Sequence, residues 1–170
     1  MSKYFSVDAE TNGLWGEAFA IAVVVRENGI TVDEFIGMCP IKGDVNEFVE
    51  NNVLPEMKSI PVTHKDYLDL LKSFMEFYAS HREDSLCLVH MGLPVEVKLF
   101  LDAHENGFIG DWGAPYPLVD ISAIPEINTS VDNYIKENGI EVPYFDGGAH
   151  NPLFDATAAV LAYEHWLEKR

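Results

Sequence analysis

Five side chains of this 170-residue sequence could do chemistry together: Asp8, Glu10, Glu96, His150 and Asp155. The run Tyr4 to Glu10 alternates as a strand, so Tyr4, Ser6, Asp8 and Glu10 share one face and Phe5, Val7 and Ala9 share the other. Asp8 and Glu10 are thus two carboxylates on the same face, about 7 Å apart along the strand. Like charges so placed repel unless a cation lies between them. Carboxylate oxygens are hard ligands suited to Mg²⁺ or Mn²⁺. An exposed acidic strand end is the other reading, although the flanking residues are apolar enough to be core.

The second half of such a site lies near the other end of the chain, in Gly147-Gly148-Ala149-His150-Asn151-Pro152-Leu153-Phe154-Asp155-Ala156. Asn151 is a favoured helix cap, and Pro152 suits the first helical position, where a missing N–H is harmless. A helix is expected from Pro152 to about Glu168. Asp155 falls in its first turn, and His150 sits just ahead on a glycine-led approach. Ala158, Ala159 and Ala162 follow, and small residues let a helix lie close to another backbone. An Asp that merely complements the helix dipole is the alternative. Glu96 has the same ambiguity. It occupies the first turn of a helix expected from Pro94 to about Asn106, behind a short buried strand, Leu86 to His90, and a Gly92-Leu93-Pro94 turn.

The elements that must position these groups follow in order. Ala18 to Arg26 is a continuous apolar strand, Asn28-Gly29 is a tight hairpin signal, and Ile30 to Cys39 is its antiparallel partner. Val45 to Asn51 is a candidate short helix. Thr63 with Asp66 resembles a capping-box start, followed by Tyr67, Leu70, Leu71, Phe74 and Tyr78 at helical spacing. Lys98 and Asp102 are expected on a solvated helix face. Tyr116 to Ile121 reads as a strand and Ser130 to Glu137 as a helix. The implied architecture is α/β: a mixed five-stranded sheet, with an antiparallel meander and right-handed parallel crossovers, and helices on both faces. Residues 1–170 are expected to form one domain.

Composition narrows the function. Hydrophobic residues make up 48% of the chain, enough for a real core. No apolar run reaches the length of a membrane span, and Met1-Ser2-Lys3 has no signal-peptide pattern, so a cytoplasmic, membrane-free protein is expected. Two cysteines, Cys39 and Cys87, make a disulfide framework or zinc site an unnatural reading. The net charge of −17 argues against a broad basic surface for long nucleic acid. It leaves open a nuclease whose metals meet phosphate in a small cleft; two divalent ions would bring the total to roughly −13. Nothing in the sequence speaks to oligomeric state. The run Phe108 to Tyr116, with Trp112, reads either as an interface or as a covered edge.

Val7-Asp8-Ala9-Glu10-Thr11-Asn12-Gly13-Leu14 and His150-Asn151-Pro152-Leu153-Phe154-Asp155-Ala156 together resemble the first and third motifs of the DEDDh 3′→5′ exonucleases of the ribonuclease H-like superfamily, which include proofreading subunits and oligoribonuclease. The first motif has the form Asp-x-Glu-x-x-Gly; the third has His, four residues, then Asp-Ala. The middle motif departs from the family's His-Asn-x-x-Phe-Asp. Counting strictly from His90 puts Val95 in the acidic slot. One added residue in the turn puts Glu96 there, with Val95, Leu99 and Phe100 on the apolar positions, and that alignment is preferred. The resemblance implies a ribonuclease H-like fold. It implies two Mg²⁺ or Mn²⁺ ions held by Asp8, Glu10, Glu96 and Asp155, with His150 as general base. Thr11, Asn12, Gly13, Leu14, Trp15 and His90 would hold the 3′-terminal nucleotide of a single-stranded, short DNA or RNA substrate. The implied product is a nucleoside 5′-monophosphate. Two rivals stay open: a phosphodiesterase for very short or regulatory oligonucleotides, and a catalytically weak or inactive nuclease-fold binding module, with Glu96 in place of Asp as its symptom.

Overall fold

The computed structural model describes residues 2–128, 130–143 and 148–170. Gly147, the first of the two glycines expected to lead into His150, lies outside the described residues. Strands β1 (Lys3–Thr11), β2 (Ala18–Glu27) and β3 (Ile30–Met38) form an antiparallel meander, and β4 (Leu86–Val89) and β5 (Leu118–Asp120) add in parallel, giving the order β3-β2-β1-β4-β5. The hairpin between β2 and β3 turns through Asn28 and Gly29, both at positive φ (52° and 80°), as a two-residue connection of this hand requires.

Alternation along β1 divides the interior into two layers. Phe5 and Val7 join Ile21, Val23 and Val89 under helices α1 (Tyr67–His81) and α2 (Val95–Glu105), which contribute Leu70, Leu71, Phe74 and Leu99. Tyr4 joins Val24 and Leu88 under α3 (Val131–Asn138) and α4 (Pro152–Glu168), which contribute Ile135, Ala159 and Ala162. Helices therefore cover both faces, as the pattern predicts. Helix α4 packs on β1 and β2 through alanines, while Ser6, fully buried, stands opposite Val24, and Asp8 opposite Ala22. Arg26 ties this helix to the hairpin: Nε donates to Glu164 Oε2 at 2.9 Å and Nη2 to the Gly29 carbonyl at 2.5 Å. Strand β3 is the free edge on one side, with Ile30, Val32 and Ile36 exposed and Asp33 and Glu34 between them.

The structure corrects several local expectations. The helix cap before α1 is Asp66, which accepts from the Asp69 N–H at 2.9 Å; Thr63 Oγ1 instead accepts the Met38 N–H at 3.2 Å, serving the end of β3. The candidate helix at 45–51 is displaced and extended into a π-helical turn, Val49–Val53, and a 3₁₀ turn, Leu54–Met57. Val49, Val53 and Met57 recur every four residues and are buried, so packing carries the segment through Pro55. Strand β5 is shorter than expected; Pro117 has no N–H to offer a ladder. Asp102 is buried rather than solvated, because it accepts the Tyr67 hydroxyl at 2.5 Å and pairs with Lys98.

The close approach of α4 has a measurable consequence. Ala162→Leu, at a fully buried position, is expected to lower stability by about 1–3 kcal/mol through overpacking. Ser6→Ala is expected to leave stability level or slightly raised, since the buried Ser6 Oγ has no hydrogen-bond partner among the described residues. Denaturant unfolding of both variants measures this pair of effects.

Candidate metal centre and its cleft

Three elements bring carboxylates together at the C-terminal ends of β1 and β4. Strand β1 brings Asp8 and Glu10 up from its α4 face, α2 brings Glu96 in its first turn, and α4 brings Asp155 in its own. They line an open cleft of ≈ 320 Å³ that also includes His90, Met91, Val95, Asp132 and His150. Among the described residues, carboxylate oxygens of Asp8, Glu10 and Asp155 lie within 4.8 Å of one another. Glu96 is turned toward the strand: its Oε1 accepts the Ala9 N–H at 3.0 Å, which ties α2 to β1 between the two strand carboxylates.

The electrostatics follow from that crowding. Burial, then the charges of Asp155, Glu96 and Glu10, raise the Asp8 carboxyl well above the usual carboxylate range. Burial, then Asp155 and Glu96, push Glu10 up to about 8. Burial raises Glu96 to about 8 against the opposing hydrogen bond from Ala9. Burial raises Asp155 to about 7 although the His150 N–H, donated to its Oδ2 at 2.9 Å, pulls the other way. Among the described residues, no lysine or arginine lines the cleft. A hard divalent cation fits this donor set: all its candidate ligands are carboxylate oxygens, and its charge would relieve the repulsion that raises them.

His150 stands at the mouth. Its backbone is left-handed at φ 67°, an unusual conformation for a residue with a side chain, and its Nδ1 lies 3.9 Å from Glu10 Oε1. Gly148, at φ 76°, supplies the other left-handed position of this approach, and Asn151 caps α4 by accepting the Leu153 N–H at 3.0 Å. The His150 ring meets Phe48 edge-on, 6.1 Å between centroids. His90 also lines the cleft, with Nε2 2.9 Å from the Asn128 carbonyl.

Thr11, Asn12, Gly13, Leu14 and Trp15 do not line the cleft. They form a turn beyond Glu10, with Leu14 and Trp15 largely exposed. Asn12 is structural there: Nδ2 donates to the Asp44 carbonyl at 2.9 Å, and Oδ1 accepts the Asn46 N–H at 2.7 Å. Asn46 in turn accepts the Phe48 N–H at 2.9 Å, so the turn sets the ring that faces His150.

Three residues of the site carry no sequence signal. Phe48 and Asp132 are a hydrophobe and an acid among many in the sequence. Asp120 is the third. Its carboxylate accepts the Met91 and Gly92 N–H groups, both at 3.0 Å, and the Ser122 N–H and hydroxyl at 2.9 and 2.7 Å. Burial works against its charge, but these bonds from Ser122, Met91 and Gly92 hold it below its ordinary value. The turn it pins has Met91 at φ 56° and leaves no room at Gly92, where a Cβ would stand 2.5 Å from Val89. That turn leads directly into Glu96.

No protein-family model matches the chain, and no curated protein matches it in sequence. Nineteen chains of known structure match it. One is Exonuclease X in complex with 5′ overhanging duplex DNA, with a TM-score of 0.55 and 16% identity, over 100% of this chain and 94% of that one. The chain shares its fold, a mixed five-stranded sheet with helices on both faces, with that protein. The likeness runs over the whole chain, and at this identity it speaks for the fold alone. No described helix is long and apolar enough to cross a membrane.

Two outcomes are expected. In the metal-free protein the carboxylates of Glu10, Glu96 and Asp155 keep protons to about 8, 8 and 7 when folded, and lose them near about 4 when unfolded. The folded state then binds more protons across roughly pH 4 to 8, so stability falls as pH rises through that window. Melting temperature should therefore drop from pH 5 to pH 8, Mn²⁺ should restore more of it at pH 8 than at pH 5, and Glu96→Gln should flatten the drop. An unflattened slope would separate it from this cluster. Asp120→Ala is expected to weaken Mn²⁺ binding measured by calorimetry, with a melting loss of only a few degrees.

Proposed function

We propose that this chain is a metal-dependent 3′→5′ exonuclease. The observation that carries the reading is the convergence of four carboxylates and a mouth histidine on an exonuclease fold. Asp8, Glu10, Glu96 and Asp155 would hold two divalent cations, Mg²⁺ or Mn²⁺. When bound, such ions lower the pKa of water and neutralise charge at phosphate. His150 takes the proton of the attacking water; its Nδ1 side lies toward Glu10, which leaves Nε2 as the accepting atom. The water oxygen bonds to the last internucleotide phosphorus, and the bond from that phosphorus to the 3′-oxygen of the penultimate sugar breaks. A nucleoside 5′-monophosphate leaves, the freed 3′-oxygen takes a proton from solvent, and the shortened strand keeps a 3′-hydroxyl. Thr11 to Trp15 and His90 would hold the terminal nucleotide, with Asn12 acting through the wall it staples.

A non-catalytic reading has one observation of its own. One oxygen of Glu96 accepts the Ala9 N–H, which turns the carboxylate toward the strand and competes with its share in holding an ion. A nuclease fold that binds and does not cut would follow if that share were too small.

The deciding measurement uses 5′-labelled RNA and DNA, as single strands of two and about twenty nucleotides and as a duplex with a 5′ overhang. Each is incubated with Mn²⁺, Mg²⁺ or EDTA. A metal-dependent ladder shrinking from the 3′ end is expected, and Asp8→Asn and Asp155→Asn should abolish it. His150→Ala should lower the rate by about 10²–10⁴-fold while Mn²⁺ binding persists. A full rate in either Asn variant would remove the metal-dependent reading. No cleavage of any substrate would favour the binding module and make Glu96→Asp the next variant to assay.

A further inference from the structure

Phe48 is an exposed ring on a firmly held backbone. Its side chain stays 59% exposed, so its burial adds little to stability. Its N–H donates to Asn46 Oδ1 at 2.9 Å, and its carbonyl accepts Asn52 Nδ2 at 3.0 Å. The next residue, Val49, is buried in the core under the π-helical turn. Asn46 is itself fastened to the 12–16 turn, because Asn12 Oδ1 accepts its N–H. What the held ring meets is His150, at 84° and with centroids 6.1 Å apart.

His150 lacks the usual means of orientation. A histidine base is commonly set by a hydrogen bond from its second nitrogen to a carboxylate or carbonyl. Here Glu10 Oε1, the carboxylate oxygen beside Nδ1, is 3.9 Å away, which is beyond hydrogen-bond length. The backbone N–H, donated to Asp155 Oδ2 at 2.9 Å, fixes where the side chain starts but not how the ring turns. The side chain is 44% exposed, so few walls confine it. The Phe48 ring is one that does. Edge-to-face ring pairs attract each other, and a catalytic group displaced by about 1 Å loses much of its rate.

We propose that Phe48 is a positioning residue for His150: its ring holds the imidazole over the carboxylate cleft, with Nε2 free to accept the proton of the attacking water. This role rests on the nuclease reading for its chemistry and on the ring contact for its geometry. It also gives the staple of Asn12 and Asn46 a purpose, since that staple sets the ring. A ring at the mouth could instead stack on a nucleobase; that use would be felt in substrate binding, whereas positioning is felt in turnover.

The test compares the full chain with Phe48→Ala, Phe48→Leu and Phe48→Tyr on a 5′-labelled single strand with saturating Mn²⁺. The Ala and Leu variants are expected to lower kcat about three- to tenfold, with KM within about twofold of the parent and Mn²⁺ affinity unchanged. Phe48→Tyr keeps the ring and should restore kcat. A second readout needs no turnover. At one fixed pH, the His150 Cε1–H resonance, assigned by its loss in His150→Ala, should show a nuclear Overhauser effect to the Phe48 ring. It should move toward the free-histidine position in Phe48→Ala and stay in place in Phe48→Tyr. Unchanged kcat in the Ala and Leu variants would overturn the proposal. So would a raised KM at constant kcat, the mark of a base-stacking surface. A missing ring-to-ring effect would overturn it whether or not the chain cuts nucleic acid. A parent that cuts no substrate although the rings touch would strike the nuclease reading itself, and the role of Phe48 with it.

Discussion

Mutual repulsion among carboxylates is the constraint around which this molecule is arranged. Asp8, Glu10, Glu96 and Asp155 are gathered from three elements into one cleft, with no lysine or arginine among the described residues of its lining. A fold left to itself would spread such charges apart. Here the period of β1 forces Asp8 and Glu10 onto one face, the alanines of α4 let Asp155 come close, and a hydrogen bond from Ala9 draws Glu96 inward. Each of these comes from the backbone or the packing of a different element, so the repulsion is borne by the whole architecture.

The second layer of the site is built from groups that hold other groups. Asp120 absorbs the donors of the turn before α2, and Asn12 and Asn46 relay the position of the 12–16 turn to Phe48 and so to His150. The two sides of the cleft are thus set by independent networks, one from β5 and one from the loop after β3. Motion of one wall need not disturb the other.

Much of this was legible from residue order. Alternation from Tyr4 to Glu10, the Asn28-Gly29 turn and the Asn151-Pro152 start each act within a few residues, and the structure places their elements where the pattern predicts. The misreadings arise where a distant partner overrides a local signal. Thr63 looks like a cap, but the end of β3 takes its hydroxyl; Asp102 looks solvated, but Tyr67, 35 residues earlier, buries it. The roles of Asp120 and Phe48 depend on neighbours 28 and 102 residues away, and no local pattern carries such information.

Strand β3 closes the sheet on one side, its outer backbone engaged at Met38 by Thr63 and His64, with Ile30, Val32 and Ile36 in the open. Such a strand is a template on which a second chain could grow. Asp33 and Glu34 lie at the middle of its length, so an antiparallel copy would bring acid against acid. The same two residues, which lie outside the cleft lining, thus count against edge-to-edge association of copies of this chain.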